Sequence, residues 1–240
     1  MTQTSTAADD SLAASPDRLH SLTNIKLVVF DLDGTLIDAF EDIAQAANHI
    51  RDRNGLPSLS VDDVKQHVGY GARRLIEGIL PPCSRAMIDE NHRCLVEYYS
   101  QNPGKKTKLY PGAFDLLRQL RERGIDVAIA SNKPHPVTCQ VVELMGLSPF
   151  VNHVRGDTDG LSRKPAPDML NGIMADARCE AQHTFMVGDT EVDLQFARNA
   201  GVAAISVTYG QRSREYLQPL QPDFIIDSLG ELLALIAVAS

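Results

Sequence analysis

Short apolar runs rich in β-branched residues recur along the chain, and segments with helical spacing of apolar positions lie between them. The runs predict strands at residues 26–30, 126–130, 153–155, 183–187, 203–207 and 223–226. The helical segments cover residues 113–123, 137–145, 166–175, 192–200 and 229–238. Alternation of strand and helix is typical of an α/β fold with a doubly wound parallel sheet, so we expect a Rossmann-like core.

One long stretch breaks this alternation. Between residues 38 and 109 the apolar positions keep helical spacing, and we find no good strand. Apolar residues share one face of a helix within residues 43–50, and residues 73–80 and 86–99 predict further helices. We therefore expect an α-helical cap domain inserted after the first strand.

The chain of 240 residues is long enough for one large domain, or for a domain with an insert. We assign the cap to residues 39–109 and the Rossmann-like core to residues 23–38 and 110–240. Residues 1–22 are rich in Ala, Ser, Thr and Asp and predict a flexible tail. The tail has no apolar stretch long enough for a signal peptide, and its acids argue against a transit peptide, so we expect a cytoplasmic protein.

Charge and composition exclude several classes of partner. The net charge is −8 and the basic residues are scattered, which argues against a nucleic-acid partner, because phosphate backbones are bound by clustered Lys and Arg. The apolar run at residues 232–239 is too short to span a bilayer, so we expect no membrane partner. The four cysteines lack pairing or metal-like spacing and predict reduced thiols. We expect a monomer or homodimer acting on a small molecule.

The most informative chemistry follows the first strand, where Asp31 and Asp33 precede Gly34 and Thr35. Turn-forming preferences explain one Asp and the Gly, but not a second Asp beside the first. Two carboxylates this close cost free energy unless a cation or a shared proton compensates them. The pair therefore predicts a nucleophile and a second acid beside a metal or a proton, which are tools of phosphoryl chemistry.

A second pair of acids follows a later strand. Asp189 comes directly after Gly188, and Asp193 lies four residues on, so we expect both on one face of the first turn of a helix. One such acid could simply cap the helix. Two acids at these positions look more like half of a site for a hard cation such as Mg²⁺, which prefers oxygen ligands.

Polar side chains also follow the strand that ends near residue 130. Ser131 can donate a hydrogen bond to a phosphate oxygen, and Asn132 lies beside it. Further along, Lys164 precedes Pro165, which fixes the point from which the Lys projects. Taken alone, these residues are ordinary turn chemistry and a solvated lysine. Ligand sites in doubly wound sheets lie beyond the carboxyl ends of the strands, where we expect these residues to meet the aspartates.

In the cap, glycines at 69 and 71 flank Tyr70 and predict a tight loop that approaches the active site. Arg73 and Arg74 follow in the first turn of a helix, where the helix dipole disfavours cations. This placement invites a functional explanation. We expect one of the two, with Arg73 the first choice, to bind an anionic group of the substrate, since planar Arg suits carboxylates.

These motifs resemble those of the haloacid dehalogenase-like hydrolase superfamily, in the same order. They are DLDGT at residues 31–35, SN at 131–132, the lysine of KPAPD at 164, and GDTEVD at 188–193. Further local likeness covers most of residues 25–240 and is most similar to the phosphoglycolate phosphatase group, whose members carry a helical cap.

The resemblance implies a role for each motif residue. Asp31 resembles the nucleophile, and Asp33 resembles the general acid that protonates the leaving alcohol and then acts as a base toward water. Ser131 and Lys164 would hold the phosphoryl group, with Asn132 supporting them.

The same resemblance implies a Mg²⁺ site. Asp31, the backbone carbonyl of Asp33, and Asp189 would bind the ion. Asp193 would help through a water molecule or by orienting Lys164. The two carboxylates of the first motif would then have opposed environments, one held ionised and the other able to carry a proton.

We therefore expect a Mg²⁺-dependent phosphatase that acts through an aspartyl phosphate on phosphoglycolate, a sugar phosphate or a nucleotide. The resemblance makes residue 33 decisive, because dehalogenases of the superfamily have Tyr there and phosphonate-cleaving members have Ala. A phosphosugar mutase of the same fold is the alternative enzyme. A catalytically idle binding module is the alternative of another class, disfavoured because every motif residue is present.

Overall fold

The computed structural model describes residues 24–158 and 162–238. The predicted tail at residues 1–22 lies outside them. The strands are β1 (Leu27–Phe30), β2 (Ile37–Asp38), β3 (Lys108–Leu109), β4 (Asp126–Pro134), β5 (His153–Asp157), β6 (Thr184–Gly188), β7 (Ala203–Val207) and β8 (Phe224–Ile226). The α-helices are α1 (Phe40–Arg53), α2 (Val61–Lys65), α3 (Ala72–Ile79), α4 (Arg85–Gln101), α5 (Ala113–Glu122), α6 (His135–Leu144), α7 (Asp168–Ala177), α8 (Glu191–Asn199), α9 (Arg214–Leu217) and α10 (Gly230–Val238).

Six of the strands form a parallel sheet in the order β5-β4-β1-β6-β7-β8. The chain extends the sheet from β1 in one direction through β4 and β5, and in the other through β6, β7 and β8. The order therefore reverses between β1 and β6, and ligands of doubly wound sheets bind in the crevice at such a switch point. This arrangement confirms the predicted α/β fold with a Rossmann-like core.

β1 lies at the centre of the sheet and is buried on both faces, which explains its unbroken apolar run. Alternate side chains enter different cores. Val28 and Phe30 pack in the core that includes the helices between β2 and β3. Leu27 and Val29 pack in a second core formed by α7 and α8. The central strand is thus fixed from both sides, which holds the residues at its carboxyl end in place.

Helices α1 to α4 lie between β2 and β3, and we call residues 40–101 the helical insert. β2 and β3 pair in antiparallel fashion, Ile37 with Leu109 and Asp38 with Lys108. The expectation that residues 38–109 contain no strand is therefore wrong at both ends of the segment. Two residues are too few to show a period, so the sequence pattern gives no sign of this ribbon.

The buried carboxylate of Asp42 ties the first helix of the insert to the segment that follows the insert. It accepts hydrogen bonds from the backbone N–H groups of Lys106 and Thr107, at 2.9 and 2.8 Å, and from the Thr107 hydroxyl at 2.6 Å. These bonds hold together the two segments through which the chain enters and leaves the insert.

None of the helices in residues 24–158 and 162–238 is long and apolar enough to cross a membrane.

Candidate active site

The carboxyl end of β1 supplies Asp31, whose backbone N–H donates to the carbonyl of Val187 in β6 at 2.9 Å. Asp31 is 7% exposed. The chain then turns at Gly34, which has φ +90°. A Cβ atom at Gly34 would lie 2.2 Å from Oδ2 of Asp189, so only glycine lets the turn approach that carboxylate. The Asp-Gly-Thr turn therefore brings the first and last motifs together.

Lys164 lies between two carboxylates in the interior. Its Nζ donates to Oδ1 of Asp31 at 2.6 Å and to Oδ1 of Asp193 at 2.7 Å. Asn132 holds the backbone of Lys164 at both polar groups. Its Oδ1 accepts from the Lys164 N–H at 2.9 Å, and its Nδ2 donates to the Lys164 carbonyl at 3.0 Å. Asn132 thus positions the lysine.

Asp193 serves the helix and the site at once. It is the third residue of α8, and its Oδ2 accepts from the backbone N–H and the hydroxyl of Thr190 at 3.2 and 2.7 Å in a capping box. Its Oδ1 is left to accept from Lys164. The sequence left capping and ligand chemistry as competing explanations of these acids. In Asp193, capping of α8 coexists with orientation of Lys164.

Asp189 is fully buried in the turn between β6 and α8. It accepts hydrogen bonds from the Thr35 hydroxyl at 3.2 Å and from the backbone N–H of Gln211 at 2.7 Å. A Cβ atom at Gly210 would lie 2.4 Å from Oδ2 of Asp189, so this neighbour must also be glycine. The carboxylate is enclosed closely by two loops.

Asp31, Asp189 and Asp193 each offer a carboxylate oxygen within 4.8 Å of the others. Burial raises the pKa of Asp31 to about 7, against the opposing effect of Lys164. Burial, together with the charges of Asp193 and Asp31, holds the pKa of Asp189 well above its usual range. A divalent cation would offset this crowding of negative charge, and the hard oxygen donors suit Mg²⁺.

The lysine that contacts Asp33 is one that the sequence analysis missed. Nζ of Lys133 donates to both carboxylate oxygens of Asp33, at 2.8 and 2.9 Å, and the lysine side chain is only 6% exposed. The same Nζ lies 4.8 Å from the ring centroid of Tyr99 in α4. Its place directly after Ser131 and Asn132, at a strand end that the sequence already marked, was the available signal.

A cavity connects these residues. Its sheet side is lined by Asp31, Asp33, Ser131 and the two lysines, Lys133 and Lys164. The helical insert contributes apolar side chains to the other side, from α1, α3 and α4. The predicted loop at residues 69–71 closes over the cavity. The Asn132 amide donates to the Gly69 carbonyl at 2.9 Å, and a Cβ atom at Gly71 would lie 3.3 Å from the Asn132 carbonyl oxygen.

Arg73 and Arg74 are not among the residues that line this cavity. Arg73 forms an ion pair with Asp89 of α4, and Arg74 pairs with Glu77 at 2.8 Å with 71% of its side chain exposed. The arginine beside it lowers the pKa of Asp89. Carboxylates of the insert itself therefore compensate both cations in the first turn of α3. The predicted role of one of these cations, Arg73 first, in binding an anionic group of the substrate stays a prediction.

The profile of the haloacid dehalogenase-like hydrolases matches residues 28–207, and the chain belongs to this family. The phosphoglycolate phosphatase of Vibrio parahaemolyticus is 34% identical over 224 residues, which cover 90% of this chain and 98% of that protein. The Vibrio cholerae phosphoglycolate phosphatase is 33% identical over 226 residues, covering 91% and 100%.

The same group recurs among solved structures. A predicted phosphoglycolate phosphatase from Haemophilus somnus superposes with a TM-score of 0.82 at 25% identity, over 89% of this chain and 98% of that one. The similarity in sequence and fold confirms the phosphoglycolate phosphatase-like group that the motifs predicted, and with it an enzyme of the phosphatase class.

Proposed function

We propose that this protein is a Mg²⁺-dependent phosphatase that hydrolyses the phosphate monoester of a small metabolite, with 2-phosphoglycolate as the first candidate. The observation that carries the proposal is the position of the Lys164 ammonium between Asp31 and Asp193, beside Asp189, at the switch point of the sheet. The names of the relatives support the substrate class.

The donor set supports a single hard cation. The carboxylates of Asp31 and Asp189 and the backbone carbonyl of Asp33 would hold Mg²⁺, with Asp193 close by. When bound, the ion would supply positive charge that reduces the electrostatic repulsion between the phosphoryl oxygens and the attacking carboxylate.

The residues of the chain divide the chemistry between them. The Asp31 carboxylate attacks phosphorus, the bond to the ester oxygen breaks, and Asp33 gives its proton to the departing alkoxide. Asp33 then takes a proton from water, whose oxygen attacks the aspartyl phosphate, releasing phosphate and restoring Asp31. Lys164 and Ser131 donate to the phosphoryl oxygens throughout. Lys133 fixes the orientation of Asp33 from both of its oxygens.

We further propose that residues 39–109 act as a cap. The apolar side chains that the helical insert contributes to the cavity support this role, because exclusion of water strengthens the electrostatic contacts of the site. The cap would open and close in each turnover, as active-site lids generally do.

We expect the enzyme to work in the cytoplasm.

The proposal is tested by phosphate release from a panel of phosphorylated metabolites with Mg²⁺. Release should be fastest for small monoesters and should stop after exhaustive chelation. Asp31→Asn should abolish turnover while the protein keeps its fold by circular dichroism. Turnover of this variant within tenfold of the unmodified enzyme, or an absolute requirement for a sugar bisphosphate, would contradict the proposal.

A further inference from the structure

The cavity has two chemically different parts. The part at the carboxyl ends of the strands carries the carboxylates, Lys164 and Ser131. The part under the helical insert is apolar, with side chains such as Ile43, Leu75 and Leu95. A phosphate group suits the first part. Any charged group that the substrate carries beyond the ester oxygen would enter the second part and would need a partner there, because burial of an unpaired charge is strongly unfavourable.

Lys133 joins the two parts. Its Nζ contacts Asp33 of the core and lies over the ring of Tyr99, which belongs to α4 of the insert. Its contacts differ from those of the other lysine in the cavity, since Lys164 is held by two carboxylates and Lys133 by one. An ammonium group has three N–H donors, and the two oxygens of Asp33 occupy at most two of them. A donor of Lys133 therefore remains for a ligand.

Tyr99 adds a second donor beside this lysine. It is buried, it lines the cavity, and its hydroxyl has no hydrogen-bond partner among the residues that the structure describes. Burial, with the charges of Asp33 and Asp42, raises the pKa of Tyr99 well above its usual range, so the phenol keeps its proton. Buried hydroxyls are nearly always hydrogen-bonded in folded proteins, and an orphaned one on a residue that lines a cavity points to a ligand.

We propose that Lys133 and Tyr99 form a subsite for a carboxylate of the substrate. The proposal rests on the proposed function, in which Asp33 protonates the ester oxygen. Because Lys133 contacts Asp33, the subsite adjoins that oxygen, and a substrate would reach it with one or two carbon atoms between ester oxygen and carboxylate. The cap itself need not supply an arginine for this group, since Arg73 is paired with Asp89.

The test compares 2-phosphoglycolate with 2-hydroxyethyl phosphate, in which a hydroxymethyl group replaces the carboxylate. The quantity measured is the ratio of kcat/KM for the two substrates. Any general loss from disturbing Asp33 lowers both values and cancels in the ratio. Lys133→Met should lower the ratio by about tenfold to a hundredfold, as expected for loss of a hydrogen bond to a charged group.

Two further variants refine the test. Tyr99→Phe removes only the hydroxyl and should lower the ratio by about threefold to tenfold. Lys105→Met is the matched control, because Lys105 is exposed and bonds only to Asn102 in the described structure, so its ratio should not change. Arg73→Ala tests the competing assignment of the carboxylate to the cap.

An unchanged ratio in Lys133→Met, or a drop in Arg73→Ala without one in Lys133→Met, overturns the subsite. If the ratio is unchanged only in Tyr99→Phe, Tyr99 is not part of the subsite. If the unmodified enzyme hydrolyses both phosphates without preference, the subsite fails and the phosphatase stands. If it hydrolyses neither, the proposed function fails, and the subsite is then tested separately by the binding of phosphonates.

That binding measurement uses calorimetry with phosphonoacetate and with ethylphosphonate, its counterpart without the carboxylate, and it also serves if Lys133→Met loses all turnover. The preference for phosphonoacetate should fall by about tenfold or more in Lys133→Met. Equal loss of affinity for both phosphonates would overturn the assignment.

Discussion

Asp31 and Asp33 are two residues apart, yet they have different partners. Asp31 is held by Lys164 inside a cluster of acids, and Asp33 is held by Lys133 at the cavity wall. The sequence predicted one pair of carboxylates with opposed environments. In the structure each member is paired with a lysine of its own.

Asp33→Asn keeps the shape of the side chain and the backbone carbonyl but cannot deliver a proton. We expect turnover of 2-phosphoglycolate to fall by about 10²- to 10⁴-fold, the range typical of general acid–base groups. The loss should be smaller for 4-nitrophenyl phosphate, whose leaving group needs little protonation. Steady-state kinetics with both substrates measure the difference, and an equal loss for both would argue against an acid role.

Gly34 offers a test of the crowding around Asp189. Gly34→Ala places a Cβ atom 2.2 Å from the carboxylate of Asp189, so we expect a lower melting temperature and weaker Mg²⁺ binding. Gly124→Ala is the matched control. Gly124 has φ +73° and no atom within 4 Å of an added Cβ. Gly124→Ala should therefore cost only the backbone strain, roughly 1 kcal/mol of stability.

Calorimetric melting curves with and without Mg²⁺ separate the two effects. If Gly34→Ala and Gly124→Ala lose the same stability and both bind Mg²⁺ normally, the contact with Asp189 has no role.

At the scale of elements, several contacts tie the helical insert to the core across the cavity. Tyr70 donates to Oε1 of Glu191 in α8 at 3.0 Å, and Lys65 donates to the Gly210 carbonyl at 2.9 Å. The Asn132 amide donates to the loop as well. These bonds favour the arrangement in which the insert lies over the site.

Tyr70→Phe removes one of these bonds without changing the cavity wall chemistry. Tyr70 is 42% exposed, so the bond is a weak one. We expect KM to rise about twofold to fivefold for all substrates alike, with little change in kcat, because closure becomes slightly less favourable. Tyr216→Phe, another exposed tyrosine, is the control. A change in kcat alone, or a substrate-dependent effect, would contradict closure by Tyr70.

The elements also show why sequence reasoning succeeded in some places and failed in others. β1 and β6 were predictable because strands buried on both faces must be continuously apolar. The β2–β3 ribbon and α2, with its five residues, are too short to show a period. Helix α7 begins at Asp168, two residues later than predicted, after the prolines at 165 and 167.

The candidate site divides in the same way. Acids that follow buried strands were predictable, because the topology of a parallel sheet gathers them at one edge. Lys133 was missed although it directly follows the predicted site residues 131–132 at a marked strand end. Tyr99 was not predictable, since its importance depends on contacts between segments far apart in the chain. Nothing in the sequence pairs Arg73 with Asp89, because the two residues lie sixteen positions apart and on different helices.

In the molecule as a whole, the switch point of the sheet gathers three buried carboxylates into one cluster: one directly after β1, one in the turn after β6, and one in the first turn of α8. A cation that binds this cluster only in the folded state must stabilise the fold. At a Mg²⁺ concentration of about 100 times the Kd, the gain is about 2.7 kcal/mol. For a chain of this size that is a rise of roughly 5 to 10 °C in the melting temperature.

Asp189→Asn removes a charge from the cluster and should abolish most of this rise. Asp115→Asn, on the exposed face of α5, is the control and should show the full rise. A rise that is equal in both variants would place the cation elsewhere.

Covalent phosphorylation of Asp31 is the step on which the proposed mechanism depends. The direct measurement is a rapid acid quench during a single turnover of ³²P-labelled substrate with Mg²⁺, followed by digestion and mass spectrometry. We predict label on the peptide that contains Asp31, which appears before free phosphate and is absent from Asp31→Asn. Release of phosphate with no labelled protein at any time, or label on another residue, would show that Asp31 is not the nucleophile.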